Sequence, residues 1–217
     1  RHVRADVRQS LATRWLYNQP EFLVTTSEDI RKHLVTTVVP VSNKVISVPT
    51  GIDVNRFSKS AFGSDPKVRQ KLKIPNNANL LTMVSTLRSW KGHEIAINAM
   101  VDLTEWILLI VGDGPREQHL KNLVAELGLS ERVLFFGFTR SVELFLATTD
   151  VFLQPSLRHE GVSQALLQAG SMGLPVVASD IGGLNEVIKD KETGLLVRPN
   201  STADLVAAVR AFDANPD

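Results

Sequence analysis

From Lys44 to the end of this 217-residue chain, short β-branched runs alternate with amphipathic stretches of helical length. No other feature restricts the fold as much. A short apolar run between turn formers can be buried on both faces, as a strand of a parallel sheet is, and the stretches between the runs suit the crossover helices such a sheet needs. Strands are predicted near 45–49, 80–85, 106–111, 132–137, 150–154, 175–179 and 194–197, and helices near 92–103, 116–128, 141–148, 162–173, 184–189 and 202–212. Leu120, Leu123, Val124 and Leu127 make the apolar stripe of one helix, and Gly128 stands where a C-cap would end it. The expected class is α/β, a parallel sheet flanked by helices. Sheets of this kind bind ligands at the carboxyl ends of their strands. Function is therefore sought in the loops that leave those ends.

The first 43 residues read differently. A strand-like segment from Phe22 to Thr26 leads into a helix beginning at Ser27, an N-cap residue followed by Glu28 and Asp29, which suit the positive end of a helix dipole. Pro40, Ser42 and Asn43 then mark a boundary, so the chain divides into 1–43 and 44–217. Ahead of the strand, Arg1, Arg4, Arg8 and Arg14 alternate with Val3, Val7 and Leu11 at helical spacing, and Trp15 and Tyr17 follow. The ordinary reading is the solvated face of a helix packed on protein. Peripheral contact with an anionic membrane is the lesser one.

Composition removes several classes of function. With no cysteine, disulfide scaffolds, zinc–thiolate sites and thiol catalysis are excluded. A net charge of +1, with no basic run interleaved with aromatics, argues against a nucleic-acid partner. The longest apolar stretch, Trp106 to Val111, is far short of the roughly 20 residues that span a bilayer, and no signal peptide opens the chain, so a cytoplasmic location is the default.

Four strand-to-helix loops could carry chemistry. Gly112-Asp113-Gly114 would place backbone amides at a helix start, as in dinucleotide sites, but the fingerprint's third glycine is replaced by Glu117, and a tight turn is the better reading. Arg88 and Lys91, with Gly92 behind them, could hold a diphosphate, the guanidinium as a planar fork and the ammonium as a point charge; an exposed charged loop is an equal reading. Pro155 to Ser163 ends at a helix start whose free N–H groups suit a phosphate or sugar hydroxyl. Glu160 in that loop could accept from a hydroxyl, with Gln168 farther along the helix. The alternative makes Glu160 a solvated carboxylate, Gln168 an ordinary helix residue, and His159 a surface residue. Ser179 to Glu186 contains the pair Gly182-Gly183 and reads either as a ligand loop or as a turn capped by Asp180.

Taken in order, these loops resemble the retaining GT-B glycosyltransferases that include glycogen synthases, sucrose synthases and bacterial mannosyltransferases. Val24 to Ser27 looks like the last strand of that family's amino-terminal domain, and Val48 to Asp53 with Phe57 like the start of its carboxyl-terminal domain. Leu87 to Gly92, Val111 to Pro115, Phe135 to Phe138, Asp150 to Ser156, Glu160-Gly161, Gly173 to Val176, Gly182 to Glu186 and Thr193 to Val197 follow in family order. The resemblance implies one Rossmann-like half of a GT-B fold, with 1–43 the tail of the acceptor domain and 44–217 the nucleotide-sugar domain, shortened at its end.

It also implies residue roles. Lys91 would bind the donor diphosphate. Arg88 would substitute for a family arginine whose usual place is taken by Thr86. Glu160 would contact the donor hexose, and Gln168 stands where a second glutamate would hold the ribose. Backbone groups at Phe138 and Thr139 would lie near the base, and those of Gly161, Val162 and Ser163 near the sugar and phosphates. The implied partners are a nucleotide sugar and a glycan or lipid-linked acceptor, the latter bound by an amino-terminal domain of which little is present. No Asp-x-Asp dyad is seen, so no metal and no cofactor are expected. A chain of this extent would not transfer sugar alone. A GT-B sugar-nucleotide epimerase and a non-catalytic sugar-nucleotide-binding module are the alternatives.

Overall fold

The computed structural model describes residues 10–37, 42–58, 66–158 and 160–214. The expected arginine face at Arg1, Arg4 and Arg8, the boundary residue Pro40 and the loop residue His159 lie outside them. Six strands form one parallel sheet: β3 (Asn79–Val84), β4 (Trp106–Val111), β5 (Val133–Gly137), β6 (Val151–Gln154), β7 (Val176–Ser179) and β8 (Leu195–Val197), in spatial order β5-β4-β3-β6-β7-β8. The chain starts at the centre of the sheet, steps outward twice, crosses back to lie beside its first strand, and steps outward on the other side. This is the doubly wound Rossmann order, with its switch point between β3 and β6. Those two strands pair only at Leu81 with Val151 and Thr82 with Phe152. Their carboxyl ends then separate, and the crevice between them receives the loops that leave both.

Alternation along each strand sends side chains into two layers. Leu81, Met83, Leu108, Ile110 and Leu153 pack under α4 (His93–Ala99), α5 (Glu117–Glu126) and α8 (Thr202–Ala214). On the other face, Leu80, Leu109 and Val111 meet Phe145 of α6 (Val142–Leu146), and Phe152, Val176 and Ala178 meet Leu166 and Ala169 of α7 (Gln164–Ser171). Helix α5 ends as its sequence predicts. Gly128 is left-handed, its N–H donates to the Ala125 carbonyl and that of Leu129 to the Val124 carbonyl, which satisfies two carbonyls a helix end leaves open.

The amino-terminal residues form a satellite. Helix α1 (Leu11–Asn18) is capped by the Ser10 hydroxyl and leaves Leu11, Trp15 and Leu16 exposed. Strand β1 (Leu23–Thr25) precedes α2 (Glu28–Thr37), whose N-cap is Ser27 as expected, its hydroxyl accepting from the Ile30 N–H at 3.2 Å. One strand assignment is corrected. Val45–Ser47, read from sequence as the first strand of the large sheet, is β2 and pairs in parallel with β1. Its β-branched run fits any half-buried sheet, and sequence periodicity does not name the neighbour. A second correction concerns 184–189, which is no helix: Gly182–Leu184 forms a 3-10 turn, and a single turn follows. Val187 and Ile188 both donate to the Leu184 carbonyl, and no second turn continues the pattern. Pro66–Lys71 forms α3, a helix the sequence reading did not include. Among the described residues, no helix is long and apolar enough to cross a membrane.

Candidate functional site

The loops leaving β3 and β6 are locked into each other at the switch point. Leu157 N–H donates to the Trp90 carbonyl at 2.7 Å, and Gly92 lies against Pro155. Gly92 has φ +76°, and a Cβ there would sit 1.7 Å from the Pro155 carbonyl oxygen, so both the backbone conformation and the space require glycine. This contact fixes Lys91, the preceding residue, toward the β6 loop. Its ammonium donates to Glu160 Oε2 at 2.9 Å, with the Lys91 side chain 18% exposed and that of Glu160 4% exposed.

Glu160 is held by more than the ion pair. Ser156 Oγ donates to Oε1 at 3.2 Å, and Gln154 Nε2 lies 3.4 Å from Oε2 and 3.2 Å from Ser156 Oγ. Gln154, the last residue of β6, also accepts from Ser163 Oγ at 3.3 Å. Ser163 in turn is the N-cap of α7 and accepts from the Leu166 N–H. One buried amide thus links the carboxylate to the start of the helix. The Glu160 carbonyl accepts from the Gly183 N–H at 2.8 Å, which brings the third loop against the other two. A buried carboxylate needs such partners, because leaving it unpaired would cost several kcal/mol, on the order of 3–5 when one member of a buried pair is removed.

The other predicted residues fall in four places. Gly161 and Val162 are buried beside Glu160, and the Val162 N–H is already taken by the Thr26 carbonyl at 3.2 Å. Gln168 is half-buried on α7, one and a half turns past Ser163. Arg88 is exposed and stacks its guanidinium over the Trp90 ring, 5.4 Å from the centroid; among the described residues it has no ion-pair partner. Phe138, 67% exposed, and Thr139 follow β5, two strands from β3, so they stand at the far side of the same sheet edge. The Gly112 to Gly114 loop is a brace. A Cβ on Gly112 would lie 2.0 Å from the Ser85 carbonyl oxygen, and Leu87 N–H donates to the Asp113 carbonyl at 2.8 Å, so this loop supports the β3 loop.

Three side chains of the assembly escaped the sequence reading. Gln154 carried a signal, as a polar residue closing an otherwise apolar strand. His93, directly after Gly92, is buried with Nε2 3.0 Å from Ser85 Oγ. Burial, and then the Lys91 ammonium, push its pKa down to about 4, against the backbone of Arg88 and the Glu94 carboxylate, which favour the proton. Glu186 was noted only as part of a motif. Its two carboxylate oxygens accept from the Glu28 and Asp29 N–H groups, both at 2.9 Å, and so cap α2 from across the molecule. Among the described residues, no cluster of three or more His, Asp or Glu could hold a metal ion.

The doubly wound sheet agrees with what comparison with known proteins finds. The family model described as glycosyl transferases group 1 matches residues 64–217. The chain belongs to that family. A 2-deoxystreptamine glucosyltransferase of Streptomyces kanamyceticus is 26% identical over 210 residues, covering 94% of this chain and 54% of that protein. An Escherichia coli UDP-Gal:alpha-D-GlcNAc-diphosphoundecaprenol alpha-1,3-galactosyltransferase is 32% identical over 178 residues, covering 78% of this chain and 46% of its own length. Among solved structures, Anabaena HepE in complex with UDP and glucose superposes with a TM-score of 0.86 at 23% identity, over 95% of this chain and 57% of that one. Sucrose-phosphate synthase from Thermosynechococcus elongatus superposes with 0.82 at 25%, over 94% and 51%. This group 1 glycosyltransferase chain has the Rossmann-like fold of one half of GT-B, and it spans about half the length of the curated relatives it matches.

Proposed function

We propose that this chain holds the sugar donor for an enzyme that moves a hexose from a nucleoside diphosphate to a glycan or lipid-linked acceptor with retention at the anomeric carbon. The observation that carries the reading is the Lys91–Glu160 pair at the switch point, a cation for the diphosphate beside a buried acceptor for a sugar hydroxyl. The relatives named for glucosyl and galactosyl transfer, and the neighbour solved with UDP and glucose, support a nucleotide sugar as donor. Negative charge grows on the leaving diphosphate, so a fixed ammonium lowers the barrier by interacting more strongly with the transition state than with the bound donor. Donor binding needs no metal or other cofactor in this reading, and a chelator leaves it unchanged. The pairing of β2 with β1 supports an acceptor unit that runs to Ser47, with the donor unit following.

Lys91→Ala is expected to weaken nucleoside diphosphate binding by roughly 1.5–3 kcal/mol, the size of a hydrogen bond to a charged group. Calorimetric titration checks it, and unchanged affinity with the fold intact would remove Lys91 from the site. Gln168, in the place of a ribose contact, offers a neutral hydrogen bond. Gln168→Ala should therefore cost about 0.5–1.5 kcal/mol for the bare diphosphate and nucleotide sugar alike. If neither Gln168→Ala nor Gln168→Glu altered nucleotide binding, the ribose assignment would be wrong. Retention is tested on the parent enzyme by the anomeric coupling of the product in proton NMR.

A further inference from the structure

The two groups expected to hold different parts of the donor are bound to each other. Lys91 Nζ is 2.9 Å from Glu160 Oε2, and the only other described donor near that oxygen is Gln154 Nε2, at 3.4 Å. We infer that the Lys91–Glu160 pair is a latch that makes the site discriminate between a nucleotide sugar and the bare nucleoside diphosphate left after transfer. The inference rests on the donor-site reading above.

The reason is an asymmetry in what each ligand replaces. A diphosphate that draws the ammonium away leaves Glu160 charged, almost fully buried and short of one strong donor. The bare nucleotide has nothing to put in its place. A donor carrying a hexose has hydroxyl groups that can donate to Oε2 as Lys91 turns to the phosphates, so the carboxylate keeps its complement of hydrogen bonds. Gln154 and Ser156 are the positioning residues of this arrangement, because they hold the carboxylate where the ammonium reaches it whether or not a ligand is present. After transfer the hexose is gone, Glu160 reclaims Lys91, and the diphosphate is released more readily. Specificity arises as a difference between two ligands, through a penalty on one of them.

The test is a double-mutant cycle read by calorimetry with UDP, GDP and ADP, their glucose derivatives, and inorganic diphosphate as probes. In the wild-type chain a nucleotide sugar is expected to bind more tightly than its parent diphosphate. Glu160→Gln, which needs no cation, should bind the bare diphosphate roughly ten- to a hundredfold more tightly, the span of one hydrogen bond to a charged group, and should lose the preference for the sugar. In a Lys91→Met background the same substitution should change diphosphate affinity less than about twofold, because the latch acts through that ammonium. Equal tightening in both backgrounds would make Glu160 a plain repulsive charge and overturn the latch. So would unchanged or weaker diphosphate binding by Glu160→Gln. Ser156→Ala supplies an independent arm: it keeps the carboxylate but frees it from the position in which the ammonium reaches it, so the latch loosens and bare diphosphate binding rises while nucleotide-sugar binding rises less. The reverse order there also overturns the latch. If neither the wild type nor any variant binds any probe, the donor-site reading itself fails.

Discussion

Gly92→Ala is expected to destabilise the chain by about 2–6 kcal/mol, about 1–3 from forcing an L-residue into left-handed backbone and about 1–3 from overpacking. The added methyl would stand inside the van der Waals contact of the Pro155 carbonyl, which is backbone and cannot rotate away as a side chain could. The β3 and β6 loops would have to separate, breaking the Leu157 to Trp90 hydrogen bond and drawing Lys91 from Glu160. Equilibrium urea unfolding measures the loss, and nucleotide titration of whatever remains folded should show a weakened site. A cost below about 1 kcal/mol would mean that the loops part freely and that the ion pair is not held by this contact.

The second large effect is on pH. His93 has an ordinary value of 6.5 and about 4 in the folded chain. Above pH 6.5 the ring is neutral in both states and contributes nothing to the pH dependence. As the pH falls through 6.5, the unfolded chain takes up a proton that the folded chain refuses, so stability declines. The decline ends near pH 4, where the folded ring protonates too, and its total is about 3 kcal/mol. Unfolding curves between pH 7 and 4 test this, with His93→Gln as the comparison. That amide can still meet Ser85 Oγ and has no proton to gain, so its stability should fall less steeply over the same window. Parallel curves for the two chains would place the acid sensitivity elsewhere. Because the Lys91 ammonium is one of the charges that lower the pKa of His93, protonation of the ring would in turn repel that ammonium.

Nearly all of the large sheet was legible in the sequence. Parallel strands buried on both faces demand short apolar runs, crossover helices demand a stripe such as Leu120, Val124 and Leu127, and Gly128 needs a left-handed cap; each is a local requirement that local residues display. The order of the loops picked out the residues proposed to carry chemistry. Pairing between distant segments was not legible, because strand-like residues do not encode their neighbours, and so β2 was placed in the wrong sheet. The apolar residues Leu184, Val187 and Ile188 suggested a helix, whereas the fold uses them as a single buried turn that aims Glu186 at the start of α2. The site divides in the same way. Sequence determined that a lysine and a glutamate follow the two central strands of a Rossmann-like sheet. Only the tertiary structure decided that they form a buried ion pair braced by Gln154 and Ser156, because burial and contact depend on how two loops nearly seventy residues apart in sequence close on each other.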